Sequence, residues 1–160
     1  MIKEVEGDIL LSKADAIAHG VAPMDHFATG LALSLRERWP QMYKDFRHYC
    51  HQDHPKSGTQ WFWGGPDVKI FNLLTQDAPE NETAHPGPAT LSHVNHALAA
   101  LATEVKRMGV KSLALPRLAT GVGGLKWEDI RPLISQHLGM LQIPVYVYTT
   151  FKKGVVAQES

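Results

Sequence analysis

The stretch LPRLATGVGGLKW, residues 115–127, decides the fold of this 160-residue chain. It begins in a short apolar run, passes through Gly121, Gly123 and Gly124, and enters a predicted helix at Trp127. A glycine-rich loop between a strand and a helix lets backbone N–H groups converge on an anion, because glycine has no Cβ to block the approach. The loop is neither a Walker A motif nor a GxGxxG fingerprint. On spacing alone, a diphosphate-binding loop and a tight structural turn both stay open.

Strands and helices alternate on both sides of this loop. Hydrophobic patterning predicts strands at 2–6, 14–22, 61–63, 68–74, 112–116 and 143–151. It predicts helices at 31–38, 41–52, 91–108 and 127–138, with Gly109 ending the third of these helices. Strands of this kind alternating with helices indicate an α/β sandwich around a mostly parallel or mixed sheet.

Composition narrows the class of protein. The length suits one domain, which we assign to residues 1–152, followed by a polar tail at 153–160. Sixteen basic side chains balance sixteen acidic ones, so binding to nucleic acid through charge is the least favoured function. No apolar run approaches the length of a membrane span, and we expect no secretory leader, because residues 1–6 alternate with acidic side chains. The single cysteine, Cys50, fits a reducing cytoplasm, where we expect the protein to reside.

Ligands of α/β sheets bind where strands end and loops lead into helices, which points to three places. These are Gly7-Asp8, residues 23–30, and the loop at 117–127. Asp8 could accept a hydrogen bond from an exocyclic amine, or it could cap a turn. Thr29 and Gly30 could cap the next helix, or allow a ligand to approach the backbone closely.

Taken together, three motifs at these junctions resemble the macrodomain family. They are GDI at 7–9, GLA at 30–32 and the run from Pro116 to Trp127. The resemblance extends from about Val5 to Phe151 and is greatest to the branch that holds the vertebrate terminal ADP-ribose glycohydrolase and the bacterial DarG antitoxins. It implies a three-layer α/β/α sandwich with a central mixed, mostly parallel sheet that binds ADP-ribose.

The resemblance also implies a set of ligand contacts. Asp8 and Ile9 would contact the adenine, and Thr29, Gly30 and Leu31 would line the distal ribose and the diphosphate. The second loop would wrap the diphosphate from the other side, through Ala119, Thr120, Gly121, Val122, Gly123, Gly124 and Leu125. Neutral backbone donors of this kind bind a diphosphate without raising the net charge of the protein. No cofactor or metal ion is expected.

At the positions expected to carry catalysis, this sequence differs from the glycohydrolases of that branch. Those glycohydrolases use a lysine before the central strand, and residues 58–61 contain none; Gly123 stands where the vertebrate enzyme has an aspartate. His19 matches a histidine of a fungal ADP-ribose 1″-phosphate phosphatase, although a buried structural histidine is the competing interpretation. Asp25 and His26 are candidate acid and base groups, or a solvated loop pair. We also expect the bulk of Phe27 to narrow the distal ribose end.

These observations leave two functions to distinguish. The first is an enzyme that hydrolyses ADP-ribosyl linkages or ADP-ribose 1″-phosphate, and the second is a reader that binds ADP-ribosyl groups without turnover. Either would have ADP-ribose or an ADP-ribosylated macromolecule as its partner, and nucleic acid only if it is ADP-ribosylated. His48, His51 and His54 lie at i, i+3 and i+6 of a helix end, where an exposed helix face is favoured over a metal site.

Overall fold

The computed structural model describes residues 1–160 and contains six strands and four α-helices in the predicted order. The strands are β1 (Ile2–Gly7), β2 (Ala16–Val21), β3 (Gln60–Gly64), β4 (Lys69–Leu74), β5 (Leu113–Pro116) and β6 (Val145–Phe151). The helices are α1 (Gly30–Arg38), α2 (Pro40–Asp53), α3 (Leu91–Met108) and α4 (Trp127–Leu138), with a short 3₁₀ helix at Ile9–Leu11.

Local sequence explains where the helices begin and end. Pro40 opens α2, where the missing N–H of proline costs nothing, and His54 ends it in the left-handed conformation. The Thr90 side chain accepts a hydrogen bond from His93 N at the start of α3. Gly109 ends α3 with a φ of 67°, as predicted, because glycine adopts this conformation without strain.

The six strands form one mixed sheet in the order β1-β6-β5-β2-β4-β3. Every neighbouring pair is parallel except β3 and β4, which are antiparallel at one edge. The predicted mixed, mostly parallel sheet is therefore confirmed. The carboxyl ends of β1, β2, β4, β5 and β6 meet along one border of the molecule, since these strands run in the same direction.

Helices cover both faces of the sheet, which makes the three predicted layers. One face packs against α3 and α4 through a large apolar cluster that includes Leu98, Leu101 and Ile134. The opposite face packs against α1 and α2 around Leu35, Phe46 and the fully buried Phe27. None of the helices combines the length and the apolar character that a membrane crossing requires.

The polar segment after β6 is bonded to the rest of the chain. Val155 O accepts from Asp8 N at 2.7 Å. The Glu159 carboxylate accepts from Ser12 Oγ at 2.5 Å, from Lys13 N at 3.0 Å and from the Tyr148 hydroxyl at 2.5 Å. The segment 153–160 therefore lies along the end of β1 and the 3₁₀ helix as part of the folded unit.

Candidate functional site

A cleft opens at the carboxyl border of the sheet, between β5 and β2. The chain leaves β2 toward α1 on one face, and it leaves β5 toward α4 on the other. The two loops therefore leave the sheet toward opposite faces, and a crevice forms between them. Two adjoining cavities occupy this crevice, and Gly30, Leu31 and Pro116 line both of them.

The first cavity is apolar and has a volume of about 380 Å³. Ile9, Leu10, Leu31, Pro116, Tyr148 and Phe151 supply most of its wall, and Gly7, Gly30 and Ser34 complete it. Apolar walls that include aromatic rings suit a planar heterocycle, which packs against such surfaces. Leu31 and Ile9 are two of the predicted ligand contacts, and the structure brings them to the same cavity.

Asp8 lies beside this cavity with its carboxylate held by the backbone. Its Oδ1 accepts from Leu10 N at 3.0 Å, and its Oδ2 accepts from Gly154 N at 3.0 Å. The turn-cap interpretation of Asp8 is therefore realised. A carboxylate oxygen has a second lone pair, so the same group can still accept from an exocyclic amine.

The second cavity is larger, about 600 Å³, and has a greater share of polar surface than the first. Ten predicted site residues line it: His19, Asp25, His26, Thr29, Gly30, Leu31, Ala119, Gly121, Val122 and Gly123. Arg117 is the only lysine or arginine in its wall. Any anion in this cavity must therefore be held mainly by neutral donors.

The amino end of α1 supplies one set of such donors. The first helical hydrogen bond runs from Leu33 N to Thr29 O, so the N–H groups of residues 30–32 have no acceptor within the protein. Thr29 does not cap the helix through its side chain, contrary to one of the two interpretations of this residue. An uncapped helix start leaves its N–H groups free to bind an anion.

The loop after β5 supplies the opposing donors. The N–H groups of Gly121, Val122 and Gly123 also have no acceptor within the protein. By contrast, Gly124 N donates to Gly121 O at 3.1 Å, and Leu125 N donates to Ala119 O at 2.9 Å. Thr120 turns its hydroxyl to Arg117 O at 2.9 Å. Of the predicted diphosphate loop, Thr120, Gly124 and Leu125 therefore shape the turn and do not line the cavity.

His19 lies on the sheet surface at the bottom of the second cavity and is 2% exposed. Its Nε2 lies 2.6 Å from Asn72 Oδ1, and Asn72 Nδ2 donates to Trp61 O at 3.4 Å. The Trp61 carbonyl can only accept, which orients the Asn72 amide and places the imidazole proton on Nε2. His19 Nδ1 is therefore a neutral acceptor, and burial lowers the pKa of this histidine to about 4.

The lowered pKa predicts that the protein loses stability in mild acid. Between the pKa of about 4 in the folded state and the value of 6.5 for a free histidine, the unfolded chain binds the extra proton. Stability therefore falls as the pH drops through this window, by about 2 kcal/mol at pH 5. Urea unfolding at pH 7 and pH 5 measures the difference. A His19→Gln variant should lose less stability over the same interval, and an equal loss in both proteins would contradict the prediction.

Asp25 and Phe27 shape the loop after β2. Asp25 Oδ2 accepts from Ala22 N at 3.0 Å, and Oδ1 accepts from Phe27 N at 2.8 Å. Both oxygens of the Asp25 carboxylate are thus engaged in holding the turn. Phe27 is fully buried against Tyr43 and Phe46 and does not line the cavity. The expectation that Phe27 narrows the distal ribose end is therefore wrong, because the ring turns into the core between the sheet and α2.

His26 joins the two outer walls of the second cavity. Its Nε2 donates to Glu82 O at 2.8 Å, in the segment that follows β4. Arg36 of α1 donates to His26 O at 2.9 Å, so the backbone at this position is also held. His26 therefore fixes the separation of the two walls, and its Nδ1 is left as its only acceptor atom.

One wall of the second cavity was not among the three places predicted from the sequence. Gln76 and residues 83–86 form it, and they belong to a polar, proline-rich stretch that lies outside the predicted strands and helices. Because β4 is parallel to β2 and pairs with it, its carboxyl end opens at the same border. The sequence signal that could have identified this wall was its place after a strand and before a helix, because the same rule selected the other three places.

The histidines at the end of α2 do not form a metal site. His51 lies in the last turn of α2, and His54 follows it in the left-handed conformation that ends the helix. No group of three or more His, Cys, Asp or Glu side chains in the structure could hold a metal ion. His48, His51 and His54 therefore do not converge.

Comparison with proteins of known sequence finds distant relatives along nearly the whole chain. It is 27% identical to a Thermus aquaticus protein named DNA ADP-ribosyl glycohydrolase, over 92% of this chain and 41% of the relative. It is 22% identical to a human protein named ADP-ribose glycohydrolase OARD1, over 92% of this chain and 91% of the relative. The chain thus spans less than half of the bacterial relative. No protein-family model matches the sequence.

Comparison with solved structures gives close agreement in fold. The macrodomain of Thermus aquaticus DarG superposes with a TM-score of 0.81 at 25% identity, over 93% of this chain and 98% of the other. A Thermosipho africanus DarTG structure in complex with ADP-ribose also has a TM-score of 0.81, at 24% identity, over 95% of this chain and 42% of the other.

Proposed function

The chain has the macrodomain fold, and from that premise we propose that it binds ADP-ribose and hydrolyses ADP-ribosyl linkages. The observation that carries the proposal is the pair of joined cavities, of which the second is the more polar. The apolar cavity suits adenine, and the more polar cavity suits the diphosphate and the distal ribose. Two relatives are named as ADP-ribosyl glycohydrolases, which supports the same substrate class.

The diphosphate would lie where the free donors face each other. The N–H groups at 30–32 and at 121–123 border the second cavity and have no acceptor within the protein. Hydrogen bonds from neutral N–H groups to charged oxygens are stronger than those between neutral groups. This arrangement also agrees with the formal net charge of zero. With the diphosphate there, the distal ribose extends toward His19 and Gln76.

Hydrolysis would use a water molecule positioned by His19. Its Nδ1 accepts a hydrogen bond from the water, and the water oxygen forms a bond to C1″ of the distal ribose. The bond from C1″ to the attached group breaks, the leaving atom takes up a proton, and the proton of the water passes to the imidazole or to solvent. Because its pKa is about 4, His19 is a weak base whose main contribution is to orient the water.

A reader function is the second candidate, and one observation favours it. No lysine lines either cavity, and the carboxylate of Asp25 is engaged by the backbone. The cleft therefore holds few groups that could carry acid–base chemistry. A reader would show the same binding as the enzyme and would release no ADP-ribose.

Calorimetric titration tests the binding, with ADP-ribose as ligand and with AMP and ADP as controls. We expect micromolar affinity for ADP-ribose and weaker binding of both controls, because neither control fills the distal end of the cleft. Release of ADP-ribose is then followed over many turnovers. ADP-ribosylated DNA is the first substrate to test, given the name of the bacterial relative, and glutamate-linked ADP-ribosyl protein is the second. Absence of ADP-ribose binding would overturn the proposal.

A further inference from the structure

Gln76 is a buried polar residue that the proposed function does not yet use. It follows β4, is 6% exposed and lines the second cavity. Its backbone is held on both sides: Gln76 N donates to Val21 O at 3.3 Å, and Gln76 O accepts from Ser57 Oγ at 2.7 Å. Because Gln76 is buried and its backbone is hydrogen-bonded on both sides, its side chain has a defined direction.

One end of the Gln76 amide is occupied and the other is free. Its Nε2 donates to Gly87 O at 3.1 Å, and a carbonyl can only accept, so this contact fixes which end carries the nitrogen. Gln76 Oε1 has no hydrogen-bond partner in the protein. The only side-chain N and O atoms that are both fully buried and without a hydrogen-bond partner are Gln60 Oε1 and Thr75 Oγ1. Gln76 Oε1 has no partner and is not among them, so it is accessible. Gln76 Oε1 is therefore a free, accessible acceptor on a residue that lines the second cavity.

The donors and two of the acceptors that line the second cavity come from different elements of the fold. The free N–H groups at 30–32 and 121–123, together with Arg117, can only donate. His19 Nδ1 and Gln76 Oε1 can only accept. A phosphate at neutral pH offers acceptors, so it is matched by the N–H donors and not by the two acceptors. A sugar hydroxyl donates, so it is matched by the two acceptors.

On the basis of the proposed function, we propose that Gln76 Oε1 accepts a hydrogen bond from a hydroxyl group of the distal ribose and so selects an ADP-ribosyl group whose hydroxyls are unmodified. His19 Nδ1 provides the second acceptor of the same cavity. The pair makes the distal end specific for an uncharged diol rather than for a further phosphate. Gln76 is thus a specificity-determining contact, distinct from the loop residues that hold the diphosphate.

A double-mutant cycle between protein and ligand tests this contact. Affinities of the full chain are measured for ADP-ribose, for its 2″-deoxy and 3″-deoxy analogues, and for ADP. Removing the hydroxyl that Gln76 binds should weaken wild-type binding by about two- to tenfold, the worth of one neutral hydrogen bond. In Gln76→Met the same analogue should bind as tightly as ADP-ribose, while the affinity for ADP stays within about twofold of wild type.

Controls separate the role of Gln76 from a structural one. Gln60→Met makes the same chemical change on β3, outside both cavities, and should keep the wild-type penalty for the missing hydroxyl. Gln76→Leu is the second variant, in case the methionine fails to fold. The contact would be disproved if the Gln76 variants still bind the deoxy analogue more weakly than ADP-ribose. It would also be disproved if the wild-type protein binds both analogues as tightly as ADP-ribose. A wild-type protein that binds ADP as tightly as ADP-ribose would instead overturn the proposed function.

Discussion

Replacing Gly123 with glutamate is expected to abolish ADP-ribose binding. A Cβ at this position would lie 2.7 Å from Ala119 O and 2.9 Å from Ala89 Cβ, so the loop must shift to admit any side chain. Neither neighbour can rotate away, because one is a backbone atom and the other is fixed directly to the backbone. The added carboxylate would also occupy the region where the free N–H groups converge. Loss of several charged hydrogen bonds should lower the affinity by about 100-fold or more.

Two further variants identify the cause of this loss. Gly121→Ala adds a Cβ to the same loop where no protein atom lies within 4 Å, so it should leave the fold intact and much of the affinity in place. Gly123→Ala adds the clashing Cβ without the charge, so its affinity for ADP-ribose should lie between those of Gly121→Ala and Gly123→Glu. Calorimetry measures the affinities, and circular dichroism checks the fold. If Gly123→Glu retains ADP-ribose affinity with its fold intact, the diphosphate does not lie in this loop.

Replacing His19 with alanine should lower the rate of ADP-ribose release by about 100-fold, the lower part of the range for a group that assists proton transfer. The residue is buried at the end of the cavity, and its proton lies on Nε2, toward Asn72. Only Nδ1 of this imidazole is then available to a water molecule. Affinity for ADP-ribose should change far less than the rate, because the N–H groups that hold the diphosphate are untouched. Single-turnover kinetics and calorimetry measure the two effects separately.

A second histidine–asparagine pair provides the matched control for His19. His137 Nε2 lies 2.6 Å from Asn95 Oδ1, outside both cavities, so His137→Ala should leave the rate unchanged. Asp25→Asn and His26→Ala should alter binding more than turnover, because these residues hold the loop and the cavity walls. A wild-type rate in His19→Ala would refute the role of His19 in catalysis. A wild-type protein that binds ADP-ribose and releases none would be a reader.

The order of strands and helices could be predicted from the sequence because periodicity is a local property. The runs at 14–22 and 68–74 are apolar because they lie in a buried sheet, and the stripe from Leu91 to Met108 repeats because one side of α3 faces that sheet. Many of the residues that line the cleft could also be predicted. Their loops follow strands directly, and parallel strands bring their carboxyl ends to one border.

The roles of individual side chains in the cleft could not be predicted in this way. Phe27 was expected at the ligand and lies in the core, because a φ of 52° turns its loop and the ring fills the space beside Phe46. Asp25 offers two oxygens in the sequence, and both are used by its own loop. A residue type states which hydrogen bonds are possible, and only its neighbours decide which of them are already made.

The sequence by itself determined the α/β architecture, the position of the glycine-rich loop and the neutral charge that leaves anion binding to backbone donors. The tertiary structure alone decided which N–H groups stay free, which nitrogen of His19 faces the cavity, and that Gln76 belongs to the site. The physical reason is the range of the interactions. Periodicity and glycine content act over a few residues, whereas the pairs Gln76–Gly87, His19–Asn72 and Asp8–Gly154 join positions 11, 53 and 146 residues apart.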